Sequence, residues 1–216
     1  MKYLLFFYLL LVVGCAKSSS NTMTNTQNNW ICPNNHHTTP TIIALGDSIT
    51  ADPNSFAYKF ANNLGLPIQN FAIPGTTINK SNQYNTALCI QINPDDIILF
   101  QPGMNDASLL LHDNSHLETY KAMLRAILHR IDSSGAIGLL GTVNYVLDDT
   151  TVPGLNDKID IISQVLRNEI IGSRMRLIDI NNQFTPDNTT MLDFAHPNSS
   201  GHDEILMYYM NEYGGI

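Results

Sequence analysis

Thr41-Ile42-Ile43-Ala44-Leu45-Gly46-Asp47-Ser48-Ile49 is the stretch that decides what kind of fold this chain adopts. Thr41 to Leu45 carries no charge and does not alternate polar with apolar residues, as expected of a strand covered on both faces. It ends at Gly46, and Asp47-Ser48 follows at once. The same kind of run recurs at residues 68–73, 96–100, 136–140 and 175–180. Between these runs, residues 56–64, 84–90, 116–131 and 155–171 have helical spacing, and residues 199–213 close the pattern. Strands alternating with helices imply right-handed crossovers and a parallel sheet covered on both sides. The expectation is an α/β fold: a three-layer α/β/α sandwich around a five-stranded parallel sheet, flavodoxin-like in type. In such sheets the working site lies at the carboxyl ends of the strands, so the residues just after each strand are where chemistry is expected.

Composition narrows the classes of function. The chain has 216 residues, 44% apolar and only 14% charged, enough for a core of one domain plus appendages. The formal net charge is −8 and no basic cluster occurs. A nucleic-acid partner requires a cationic footprint, so none is expected.

The amino-terminal segment reads as a targeting signal. Lys2 is followed by an apolar run from Tyr3 to Val13, too short to span a bilayer as a helix. The run ends in Val12-Val13-Gly14-Cys15, which resembles the processing site of a bacterial lipoprotein. That resemblance implies a signal peptide over residues 1–14, cleavage before Cys15, and acylation of Cys15 by palmitate-like chains. More than one chain on one residue gives durable membrane anchoring. The simpler alternative is an ordinary secretory signal with an incidental Cys. Either reading places the mature protein outside the cytoplasm, in the cell envelope. Residues 15–40 are then the lipidated Cys and a polar tether, rich in Ser, Asn and Thr, and the domain covers 41–216. Within that tether, His36-His37 has no Cys or carboxylate at ligand spacing, so two solvated loop histidines are expected rather than a metal site. Cys32 and Cys89 remain as an even pair. They either bridge, tying the start of the domain to a helix, or stand as a free thiol and a small buried hydrophobe.

Four short segments follow the strands: Gly46-Asp47-Ser48, then Gly75, then Gly103-Met104-Asn105-Asp106, then Asp193-Phe194-Ala195-His196. A Ser hydroxyl is a poor nucleophile until a base takes its proton. A His serves as that base near neutral pH, and a carboxylate holds its tautomer and stabilises the imidazolium. Attack on an ester makes an oxyanion, which backbone N–H groups beside Gly and an Asn side chain can receive.

These four segments, in this order, resemble the SGNH hydrolases, also called GDSL esterases. The resemblance runs from about Thr41 to Tyr213. It implies that Ser48 is the nucleophile and also an oxyanion donor, that Gly75 and Asn105 complete the oxyanion hole, and that His196 is the base oriented by Asp193. It implies no metal and no organic cofactor. Ile49 stands where the family label has Leu, apolar for apolar, and the match around Gly75 rests mostly on that glycine. The alternative nucleophile elbow, Gly-x-Ser-x-Gly, is excluded because Thr50 occupies the place of the second glycine.

Read alone, Ser48 also suits a helix N-cap, and the company of His196 and Asn105 is what favours the nucleophile. Asp47 and Asp106 are expected to hold the loops that carry Ser48 and Asn105. His112, His116 and His129 are expected at the surface, His202 in a structural or supporting place, and Trp30 as a packing anchor. The functional expectation is a monomeric serine esterase acting through an acyl-enzyme on a lysophospholipid, a short acyl ester or an acetylated sugar. An acyltransferase would use the same residues, and a surface lipoprotein that only binds a glycan or partner would use the same fold.

Overall fold

The computed structural model describes residues 31–78 and 82–214. The expected signal peptide, the lipidated Cys15 and Trp30 lie outside the described residues.

Five strands form one sheet: β1 (Ile42–Gly46), β2 (Ile68–Asn70), β3 (Ile97–Gln101), β4 (Ile137–Gly141) and β5 (Arg176–Ile178). Their order across the sheet is β2-β1-β3-β4-β5, and every neighbouring pair is parallel. The described helices are α1 (Ser48–Ala51), α2 (Phe56–Leu64), α3 (Asn82–Cys89), α4 (Met104–Leu110), α5 (His116–Ser134), α6 (Leu155–Glu169), α7 (Ile180–Gln183) and α8 (Ser199–Gly214).

The sheet separates two apolar cores. Ile43, Leu45, Ile98, Phe100 and Leu140 point to one face and pack with residues of α3, α5 and α6. Ile42, Ala44, Ile97, Leu99 and Leu139 point to the other face, where α2 and α8 lie. Burial on both faces explains why the central strands carry no polar alternation. The three-layer architecture is therefore the one expected.

Two strands are shorter than expected. The second was expected over residues 68–73 but ends at Asn70. Asn70 Oδ1 accepts from the N–H of Ala72 at 3.0 Å, and Asn70 Nδ2 donates to the Thr50 carbonyl at 2.8 Å. This bends the chain towards α1, although Phe71 and Ile73 still donate to Ala44 and Gly46. The fifth was expected over 175–180 but stops at Ile178, because Asp179 turns away to ion-pair with Arg167 at 2.7 Å and starts α7.

The compact unit begins at Ile31 rather than at residue 41. Cys32 is bonded to Cys89. Asn35 exchanges two hydrogen bonds with the Gln91 backbone, both 2.8 Å. His37 is not solvated as expected: its side chain is 7% exposed, with Nε2 2.8 Å from Asp96 Oδ2. Asp96 in turn accepts from the N–H of Thr41 at 3.0 Å. The segment is thus pinned at the entrance of β1 and β3, the end of the sheet opposite Ser48.

Candidate active site

The nucleophile turn is set by Gly46 and Asp47. A Cβ on Gly46 would lie 2.3 Å from Thr50 Oγ1 and 2.9 Å from the Gln101 carbonyl, so only glycine lets α1 fold back against the end of β1. Asp47 caps α1, its Oδ1 accepting from the N–H of Ile49 at 3.1 Å. Ser48, at the first position of that helix, is half-buried. The far end of α1 is held by Asn70 Nδ2 and Ser55 Oγ, which both donate to the Thr50 carbonyl, at 2.8 and 3.0 Å.

His196 reaches this turn from the loop before α8. Its Nε2 is 2.9 Å from Ser48 Oγ, across 148 residues of chain. Its Nδ1 is 2.9 Å from Asp193 Oδ2 and 3.0 Å from Oδ1. Asp193 Oδ1 also accepts from the N–H groups of Ala195 and His196, each at 2.8 Å. Burial pushes the Asp193 carboxyl up, but the His196 ring and these two N–H groups outweigh it and hold it at about 2. The Asp193 hydrogen bond raises the His196 imidazole above its ordinary value, against a smaller opposing effect of burial. The loop is itself fixed: Leu147 N–H donates to the Phe194 carbonyl at 2.7 Å, and Leu192 N–H to the His196 carbonyl at 2.8 Å. Behind it, a Cβ on Gly201 would meet the Thr190 carbonyl at 2.2 Å, so α8 can start this close only with glycine.

Gly75 sits in the turn after β2, at φ 72°, a left-handed conformation suited to glycine. Gly103, at φ 125°, precedes α4 where any Cβ would strike Ile162 at 2.7 Å and Val143 at 2.9 Å. Asn105 is the second residue of α4. Its Nδ2 is buried and has no hydrogen-bond partner among the described residues. A buried donor left without an acceptor is costly.

Ser48, Asp193 and His196 line one cleft of 340 Å³, together with Pro53, Pro74 and Leu192. Pro74 brings the turn containing Gly75 to its edge. Gly75 and Asn105 themselves do not line it. Asp52 does, and so does His202, expected in a structural or supporting place. His202 is 2% exposed, and burial lowers its imidazole to about 4, so it is neutral near pH 7. Among the described residues, no three His, Cys, Asp or Glu side chains gather in a metal-binding arrangement.

His112 and His129 are exposed as expected, but His116 is not. It is 3% exposed and its Nε2 lies 2.7 Å from Asp106 Oδ1. A signal for this was present. His116, Tyr120, Leu124, Ile127 and Ile131 share the buried face of α5 at helical spacing.

A family model described as the GDSL-like lipase/acylhydrolase family matches residues 44–204. Among solved structures, a member of the lipolytic G-D-S-L family from Veillonella parvula is 16% identical with a TM-score of 0.66, covering 82% of this chain and all of its own. LAE5, an alpha/beta hydrolase enzyme from the metagenome of Lake Arreo, Spain, is 18% identical with a TM-score of 0.67, covering 81% of this chain and 95% of its own. Axe2, an acetylxylan esterase from Geobacillus stearothermophilus, is 18% identical with a TM-score of 0.64, covering 81% of this chain and 94% of its own. At these identities the likeness is one of fold. No curated protein matches the chain.

Proposed function

Since the chain belongs to the GDSL-like lipase/acylhydrolase family and is an SGNH-type ester hydrolase, we propose that it cleaves short-chain carboxylic esters through an acyl-enzyme on Ser48. The observation that carries this reading is the unbroken line Asp193–His196–Ser48, with 2.9 Å at both of its links. Ser48 Oγ attacks the ester carbonyl while His196 Nε2 takes its proton. The imidazolium so formed is stabilised by the ionised Asp193. The carbonyl oxygen becomes an oxyanion, received by the N–H groups of Ser48 and Gly75 and by Asn105 Nδ2. Collapse breaks the ester C–O bond, and His196 returns the proton to the departing alcohol. Water then enters, gives a proton to His196 and attacks the acyl-enzyme, and the second collapse releases the acid as His196 returns that proton to Ser48 Oγ.

The size and lining of the cleft favour a small acyl group. Its 340 Å³ is at the low end for ligand sites, which leaves little room for a long chain. Among the described residues, Asp52 and Asp193 line the cleft without a Lys or Arg, which disfavours an anionic headgroup. A short acyl ester of a neutral alcohol, such as an acetylated sugar, suits these walls better than a lysophospholipid. The fold shared with an acetylxylan esterase agrees with that choice. Anchoring through acylated Cys15 would hold the enzyme in the cell envelope, and the Cys32–Cys89 bridge is of a kind that persists in oxidising compartments.

The test is hydrolysis of nitrophenyl esters of increasing acyl length, with a fluorophosphonate probe for the nucleophile. Wild-type protein should label once and prefer acetyl or butyryl esters. Ser48→Ala should lose both labelling and turnover while remaining folded. Full turnover in that variant would overturn the assignment.

A further inference from the structure

Two buried carboxylates lie under the proposed oxyanion donors without lining the cleft. Asp47 is 2% and Asp106 0% exposed. Asp47 accepts from the N–H of Ile49 at 3.1 Å and also takes a backbone hydrogen bond from Met104. Asp106 accepts from the N–H of Ile78, at 3.1 Å to Oδ1 and 3.3 Å to Oδ2. Each proposed donor therefore sits beside a clamped backbone group. Ser48 lies between Asp47 and Ile49, Asn105 between Met104 and Asp106, and Gly75 three residues before Ile78.

The weak joint in this arrangement is Asp106. Its two contacts with Ile78 are long for charge-assisted hydrogen bonds. Burial raises its own carboxyl above the ordinary value, and its charge in turn disfavours that of Asp47. The group that offsets both effects is His116, whose Nε2 donates to Asp106 Oδ1 at 2.7 Å with both side chains 1% exposed. Tyr120, one helical turn further along α5, flanks the pair, and its hydroxyl stands 3.2 Å from where a Gly103 Cβ would be. His116 belongs to α5, not to any of the four segments that carry the reacting groups.

We propose that His116 is a positioning residue for ester hydrolysis: by donating to Asp106 it keeps that carboxylate clamped on the Ile78 N–H and so fixes Asn105 relative to the Gly75 turn. The proposal rests on the acyl-enzyme reading above. Its consequence is specific to the transition state. A misplaced oxyanion donor weakens the charge that forms during attack and leaves the uncharged ester bound as before. Displacements of about 1 Å suffice to cost on the order of a hundredfold in rate.

The experiment uses the full chain with His116→Leu and His116→Gln, and counts active sites by fluorophosphonate labelling of Ser48 carried to completion. Normalising to labelled sites removes any loss from partial unfolding. His116→Leu should lower kcat per site by roughly ten- to a hundredfold while KM stays within about threefold. His116→Gln, whose side-chain N–H can still reach the carboxylate, should recover to within about fivefold of wild type. An unchanged kcat per site in His116→Leu, even with lowered stability, would overturn the proposal and leave His116 a core residue only. So would a loss that His116→Gln fails to restore. If His116→Leu does not fold, Asp106→Asn carries the test, because it removes the charge at constant volume, and unchanged kcat per site there is equally fatal. Failure of the wild type to label, or labelling that persists in Ser48→Ala, identifies instead a failure of the acyl-enzyme reading, and the proposal falls with it.

Discussion

Replacing Asn105 with Leu should make the protein more stable and less active at once. The two effects have one structural source. Asn105 Nδ2 is buried without a partner among the described residues. Leaving a buried donor unpaired costs about 1–3 kcal/mol. Leu has a similar shape and no donor, so it removes that cost. Allowing for imperfect packing, a gain of about 1 kcal/mol is expected, which for a domain of this size raises Tm by roughly 2–4 °C. Removing one oxyanion donor costs about 10²–10³ in kcat, on the order of 3–4 kcal/mol of transition-state stabilisation. Stability is read by urea unfolding followed by circular dichroism, and activity by kcat for a short-chain nitrophenyl ester, normalised to labelled Ser48. KM should hardly move, since the donor meets charge only after attack. A variant that is less stable by more than about 1 kcal/mol would show that Nδ2 is satisfied in the resting protein. A kcat within threefold of wild type would remove Asn105 from the oxyanion hole. Either result refutes the reasoning, and they refute different halves of it.

Three further outcomes follow from the geometry. His196 must be neutral to accept the Ser48 proton, and Asp193 holds its pKa above the ordinary 6.5; the acid limb of kcat/KM should therefore fall above pH 6.5, and Asp193→Asn should shift it to lower pH while lowering the plateau. The Cys32–Cys89 bridge closes a separation of 57 residues; chain entropy makes it worth about 4 kcal/mol, so the double Cys→Ala variant should unfold at lower urea yet keep kcat, the bridge being at the end of the sheet away from Ser48. Burial raises the Asp47 carboxyl from 3.8 to about 6; between those pH values the unfolded chain has released a proton that the folded chain retains, so stability should fall across that window by on the order of 3 kcal/mol, and Asp47→Asn should flatten the fall, as measured by urea midpoints at stepped pH.

The architecture was legible because burial on both faces of a sheet leaves a strong mark. Ile42 to Leu45 and Ile97 to Phe100 have nowhere to place a polar side chain, and their sequences have none. The strand ends were less legible. Asn70 and Asp179 end their strands through side-chain bonds to Thr50 and Arg167, partners 20 and 12 residues away that no local pattern names. The short α1, α4 and α7, at most 7 residues long, offer too few turns for periodicity to register. The same limit hid His37. Its partner Asp96 is 59 residues distant, and only the folded chain brings them together. Ser48, Asp193 and His196 could be read because each follows a strand in the order of a known constellation.

His116 was missed for a different reason. Its position on α5 is readable from the sequence, but residue type alone favours a surface histidine. The apolar stripe of that helix, from Tyr120 to Ile131, predicts a buried side chain at 116. A buried imidazole then requires a partner, because an unpaired polar group there would cost more than the stripe could return. Asp106 is the partner, and it needs one equally, being a carboxylate with no access to water. Two residues that look unfavourable separately, one in the core of a helix packing and one beneath an active-site turn, become tolerable only together. Such pairs break the local rule of apolar interiors at a functional site. A polar residue on an apolar stripe is thus a reason to look for its partner near the chemistry. Here that search leads from α5 to the residue next to Asn105.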